Sequence, residues 1–434
     1  MESIWQDGVS LPRYAPLSSD VSTDVLIIGG GIAGLLCAHR LKKLGVDAIL
    51  VEADRLAQGI TKNTTAKITA QHGLCYHKLV KTFGTDRARM YLQANLQGLE
   101  QLRALASGID CDFSVEDHHV YSLNDRNALE QELSALQLLH YPAQFVQDLP
   151  LPLPTIGAVK FPDQARFHPL KFLAALSDGL PIYEQTPVRE LGNTWAKTDH
   201  GTIHFRKAIV TTHFPFLNKH GSYFLKLYQQ RSYVIALENT PELPGMYLGA
   251  EKNGLSFRMQ GNLLLLGGGG HRTGKQGGNW AVLENFARTH YPEARIVSRW
   301  ATQDCMTLDG VPYIGRYSSR TPNLFVATGF NKWGMTTSMV AAQLLSDLVL
   351  DLENPYAEVF SPSRSILRPQ LAVNGLEATV NLLTPSQKRC PHLGCALKWN
   401  PQEHSWDCPC HGSRFEENGT LIDNPATGDW KPPK

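Results

Sequence analysis

The sequence predicts an α/β protein with an interleaved α+β region and a small all-β module at its C-terminus. Three observations carry that expectation. The apolar run Asp24-Val25-Leu26-Ile27-Ile28 breaks into Gly29-Gly30-Gly31-Ile32-Ala33-Gly34 and continues as the helical Leu35-Leu36-Cys37-Ala38-His39-Arg40-Leu41. Strand-like and helical stretches then alternate to about residue 350. Four of the eight cysteines crowd residues 390–410, behind a stretch rich in proline and serine. At about 150 residues per domain, 434 residues make roughly three domains, and 42% hydrophobic content fills their cores.

Strand, tight glycine loop and helix together form a Rossmann-like dinucleotide site. Gly29 permits the turn, Gly31 removes a side chain that would block a pyrophosphate, and Gly34 lets helix and strand pack closely. Asp47-Ala48-Ile49-Leu50-Val51 is the next strand. It ends on Glu52, the acidic position about 20 residues on that holds a ribose hydroxyl.

The residues before Asp24 form a lead-in with no evident chemistry. After Glu52, the loop Gly59 to His72 is rich in hydroxyls and short side chains, suited to wrap the middle of a dinucleotide. Lys67 is its candidate cation, placed where negative charge develops on a reducible ring; a solvated lysine at a helix end is the competing reading. His72 is either an acid–base group or a structural histidine. Leucines at helical spacing predict helices over Asp86 to Ala106 and Ala128 to Leu139. Ala158–Phe161 and Ala165–Phe167 read as two strands about a turn, and His168-Pro169 opens a helix to Leu176. Asp199-His200-Gly201-Thr202 is a tight turn before the buried strand Ala208–Thr212. The β-rich block from Gln229 to Gly274 forms the floor of a substrate pocket. Within it Arg258 is the candidate to grip a substrate carboxylate, with a surface or interdomain salt bridge as the alternative.

A last strand, Asn323–Thr328, leads through Gly329-Phe330-Asn331-Lys332-Trp333-Gly334 into a helix reaching Leu350, a second glycine loop at a helix N-terminus. With both loops in view, residues 20 to 355 resemble the D-amino-acid oxidase-like superfamily of FAD-dependent oxidoreductases. The resemblance implies FAD held by Gly29, Gly31, Gly34 and Glu52, by the backbone of Val188 on the adenine side, and by Gly329 and Gly334. Thr212-His213 departs from the small pair usual after the buried strand. Some members tether flavin through a cysteine; Cys305 lies near that place but shifted relative to Asp309.

At the C-terminus, Cys390-Pro391-His392 and Cys408-Pro409-Cys410-His411 put a Cys and a His on each of two loops. Two thiolates for one iron and two imidazoles for the other are the ligand set of a Rieske [2Fe-2S] cluster, with Cys390, His392, Cys408 and His411 as ligands. Tetrahedral zinc is the competitor; the His-Gly-Ser ending favours the cluster. By resemblance to one class of Rieske proteins, Cys395 and Cys410 form a disulfide between the loops, Ser413 donates toward a sulfide, and Phe415 replaces a tyrosine donor, implying a lower potential. The stretch from Gly375 to Cys390 is short for the strands that normally precede the first loop, which implies a trimmed module whose cluster is either more exposed or leans on the flavin domain.

The chain therefore divides into an FAD-binding domain (1–80, 151–228 and 300–355), a substrate domain (81–150 and 229–299), a linker (356–371) and a Rieske domain (372–434). The whole resembles bacterial FAD-dependent oxidoreductases with a C-terminal Rieske domain. That implies dehydrogenation of an amine or amino acid at FAD, with electrons leaving through the cluster to a soluble carrier. Electron flow in reverse, or a non-catalytic redox sensor, are the alternatives. Lys plus Arg at 41 against Asp plus Glu at 40 gives a net charge of +1, which offers no field for nucleic acid or an anionic membrane. With no apolar run of about 20 residues and no secretory start, the cytoplasm is the expected location.

Overall fold

The computed structural model describes residues 2–218 and 220–431. β1 (Val21–Ile28) runs into the glycine loop, α1 (Ile32–Lys43) follows, and β2 (Ala48–Val51) lies beside β1 in parallel. The buried strand expected near Val210 is β3 (Thr202–Val210), which pairs in parallel with β1 on one side and with β4 (Thr321–Thr328) on the other. Ile182–Tyr183 and Tyr313–Ser318 extend this sheet to either side, giving the spatial order Tyr313–Ser318, β4, β3, β1, β2, Ile182–Tyr183. Both helices that leave glycine loops, α1 and α2 (Gly334–Val349), pack on this sheet and on each other. The apolar positions of β1, β2 and β3 are buried on both faces, as a parallel sheet covered by helices requires.

A second, nine-stranded sheet is interleaved in sequence with the first. Its long strands Leu227–Glu238, Leu263–Arg272 and Arg295–Thr307 lie together, and Lys67–Ile68 closes the far edge. Two sequence expectations change here. Gly157–Arg166 is one continuous strand rather than two about a turn; Asp163, at φ +55°, absorbs the irregularity without breaking it. Lys67 belongs to the second sheet, pairing with Arg166.

The stretch 356–371 is not a free linker. Val359 and Phe360 are buried, and Arg364 grips Asp309 with two hydrogen bonds of 2.7 and 2.9 Å. The C-terminal module then opens with a helix, α3 (Pro369–Leu383), and carries a four-stranded antiparallel sheet of three-residue strands between Lys398 and Asp423. α3 is inverted: Asn374 and Asn381 face the protein, while Val373, Leu376, Val380 and Leu383 face solvent. No described strand precedes the first cysteine loop, which is backed by α3 instead.

Candidate redox site

The first glycine loop opens onto a cavity of about 760 Å³. At Gly29, φ is +113° and a Cβ would come within 2.8 Å of Thr211 O, so both conformation and space exclude a side chain. Gly31 has an ordinary φ of −79° and its nearest neighbour to a Cβ is 3.4 Å away. Its bare Cα lines the cavity, so what it leaves room for is a ligand. Gly34 is a packing glycine: a Cβ there would lie 1.9 Å from Gly29 O. Glu52 is held at the cavity wall by amides, accepting from Gly30 N at 2.6 Å and Asp54 N at 2.9 Å, while burial raises its pKa. Val188, Gly329 and Gly334 line the same cavity.

The second glycine loop is strained. Asn331 and Lys332 have φ of +50° and +75°, a conformation that costs a non-glycine residue of order 1–3 kcal/mol. The Asn331 side chain offsets it, accepting from Thr307 N at 2.8 Å and donating to Gly329 O at 2.7 Å. Held so, Lys332 reaches back to the cavity, where its Nζ donates to Ser232 Oγ at 3.0 Å; Ser232 in turn donates to Asp304 Oδ2 at 3.2 Å. The sequence reading passed over these three residues. The usable signal was a lysine inside a loop that follows a parallel strand.

Lys67 also lines the cavity, donating to Tyr247 O at 2.6 Å and Ser256 Oγ at 2.7 Å. Burial, and then the charge of Arg258, pulls its pKa well below the usual lysine value. Arg258 itself does not grip a substrate. It is fully buried, donates to Ala66 O and Gln260 Oε1, lies 5.3 Å from the Trp5 ring centroid, and is not part of the cavity wall. Neither is it in a surface or interdomain salt bridge: it is buried, and its partners are a carbonyl and an amide. His72 is structural. It meets Tyr91 Oη at 2.6 Å, stacks on Trp333 at 4.9 Å, and burial lowers its pKa to about 3. Cys305 faces the cavity, but burial pushes its thiol up to about 12, far from a reactive thiolate.

In the C-terminal module the two cysteine loops converge. His392 and His411 stand perpendicular with ring centroids 4.9 Å apart. Cys390 and Cys408 are both buried and both free, one on each loop. Cys395 and Cys410 are joined as a disulfide. The close approach of Cys395, Cys408 and Cys410 reflects that bond packed against a free thiol, not a three-cysteine metal set.

The imidazoles test what these donors suit. His392 Nε2 lies 2.9 Å from Asn218 Oδ1 and His411 Nε2 lies 3.0 Å from Phe224 O, both acceptors. Each Nε2 therefore carries the proton, and each Nδ1 is a bare lone pair. Both Nδ1 atoms are buried without a partner. Two buried free thiols and two orphaned Nδ1 atoms fit a two-iron cluster with mixed ligation.

Fold and site together define a flavin-dependent oxidoreductase with an iron–sulfur module. Residues 24–348 match the family model for FAD dependent oxidoreductases and residues 381–433 that for Rieske [2Fe-2S] domains, and the chain belongs to the FAD dependent oxidoreductase family. It is 35% identical over 490 residues to the Rieske 2Fe-2S iron-sulfur protein YhfW of Bacillus subtilis (strain 168), covering 98% of this chain and 96% of that one. The gamma-glutamylputrescine oxidoreductase of Escherichia coli (strain K12) is 23% identical, over 79% of this chain and 88% of its own. Among solved structures, glycine oxidase from Geobacillus kaustophilus superposes with a TM-score of 0.68 at 22% identity, over 80% of this chain and 99% of that one. The protein is thus an enzyme that uses FAD and a Rieske-type [2Fe-2S] cluster.

Proposed function

We propose that the enzyme dehydrogenates an amine or amino acid at FAD, and that the electrons leave singly through the cluster to an external soluble carrier. The observation that carries this reading is the cavity itself. It is lined by Gly31 and Glu52, by Lys332, Ser232 and Asp304, and by residues 421–424, 426 and 427 of the iron–sulfur module. Bound FAD supplies a two-electron acceptor and the cluster a one-electron acceptor.

In this reading Gly29, Gly31, Gly34, Glu52, Val188, Gly329 and Gly334 seat the dinucleotide, and Cys390, His392, Cys408 and His411 hold the cluster. Lys67 supplies hydrogen-bond donors beside the reducible ring. Lys332 and Asp304 offer opposite charges bridged by one hydroxyl, an array suited to a substrate bearing both an anionic and a cationic group. The names of the Escherichia coli and Geobacillus kaustophilus relatives, an amine and an amino-acid enzyme, support that class. No described helix is long and apolar enough to cross a membrane, and we place the enzyme in the cytoplasm.

The test is anaerobic. Purified protein is mixed with a panel of amines and amino acids, and the flavin absorbance and the electron paramagnetic resonance of the cluster are followed together. Bleaching of the flavin followed by a Rieske-type signal is expected. A flavin that stays oxidised across the panel but is reduced once a reduced carrier charges the cluster would establish the opposite flow.

A further inference from the structure

The loop between β3 and the strand Leu227–Glu238 touches both redox sites. Thr211, Thr212 and His213 line the cavity. The next residue, Phe214, sets its ring edge-on against both ligand histidines, 6.2 Å from each. Further along, Asn218 Oδ1 and the Phe224 carbonyl take the two Nε2 protons. The contact is reinforced from the second sheet and the module. Gln229 Nε2 donates to His411 O at 3.1 Å, Gln303 Nε2 to Gly412 O at 2.8 Å, and Arg272 Nε to Pro409 O at 3.0 Å. Asn424 Nδ2 returns a bond to Thr212 O at 2.6 Å. There is no slack: a Cβ on Gly412 would stand 2.6 Å from Gln229 Cβ, and one on Gly274 2.6 Å from Pro409 N.

We propose that residues 211–218 and 220–226 form a junction in which Asn218 and the Phe224 carbonyl close the imidazole edge of the iron–sulfur site. The external carrier then does not meet the cluster through its histidines. The histidine side packs against the loop that lines the cavity, and the first cluster loop keeps Pro391 and Leu393, the latter 39% exposed, toward solvent. Asn218 and Phe214 are positioning residues: both orient the rings, and the Nε2–H bonds to Asn218 Oδ1 and the Phe224 carbonyl set how much electron density each imidazole gives to iron.

That last property makes the junction measurable without turnover. An acceptor on Nε2–H strengthens the imidazole as a donor and favours the oxidised cluster. Asn218→Leu removes one acceptor and is expected to raise the midpoint potential of the cluster; Asn218→Asp supplies a charged acceptor and is expected to lower it. Asn218 is exposed, so neither change disturbs the core. Potentials are read from the Rieske resonance in the full-length protein, with iron and flavin content checked. Shifts in opposite directions bear the proposal out. One shared potential across the three proteins, at equal iron and flavin, would mean that Asn218 does not meet the cluster in solution, and overturns it. The substrate reading plays no part in this experiment, so the two fail separately.

Discussion

Lys332 and Arg258 show what a single residue reveals only in three dimensions. Arg258, in a β-rich block, had the chemistry to hold a carboxylate, yet Ala66 and Trp5 from elsewhere in the chain, with Gln260 on its own strand, consume it. Lys332, unremarked among glycines, is turned into the cavity by a left-handed backbone that Asn331 stabilises. Lys332→Met is expected to lower kcat/KM by roughly 1.5–3 kcal/mol, the worth of a charged hydrogen bond, mostly through KM and with flavin content unchanged. His411→Ala is expected to abolish the Rieske resonance while the flavin spectrum persists; a colourless protein would contradict the separation of the two sites. That the two Cys–His loops would meet was legible because each pair's spacing is local, within a short loop. His72 gives a pH dependence. Its ring stays neutral in the fold to about pH 3 but takes a proton near 6.5 once unfolded. Its contribution to stability is therefore full above 6.5 and is lost as pH falls toward 3, at roughly 1.4 kcal/mol per unit. Thermal melting is expected to show that decline between pH 6.5 and 5, shallower in a His72→Gln variant.

At the scale of elements, the two glycine loops were readable because strand, turn and helix are each specified within about 20 residues. Gly34→Ala tests that packing: with Gly29 O 1.9 Å from the new Cβ, α1 must move off β1. The cost is expected to be roughly 1–3 kcal/mol or more, seen as a lower melting temperature and substoichiometric flavin. α3 was not legible. Its prolines and serines upstream look like a linker, and its leucines and valines sit on the outer face, where the usual rule of burial misleads. Leu376→Glu on that face, where Leu376 is 66% exposed, is expected to leave the melting temperature within the small range of a surface change, about 0.5 kcal/mol.

Across the whole molecule, the sequence announced two modules but not how they meet. That arrangement depends on Gln229, Arg272, Gln303 and Asn424, which carry no local pattern and acquire meaning only against the opposite surface. A buried ion network adds to it: Arg231 with Glu403, and Arg414 with Glu403, Asp407 and Asp423, the last three at 2.9, 3.0 and 3.0 Å. Because each charge there depends on the others, removing one is costly. Arg272→Ala deletes bonds to Pro409 O, Cys410 O and Asn374 Oδ1. It is expected to weaken the docked state by roughly 2–5 kcal/mol, read as faster amide hydrogen exchange across residues 408–413 with both cofactors retained.

The closeness of Gly412 to Gln229 and of Gly274 to Pro409 also bears on how the sequence can drift. With no room for a methyl group at either position, a larger residue on one surface is accommodated only by a compensating change on the other, so the two facing surfaces are expected to vary in concert.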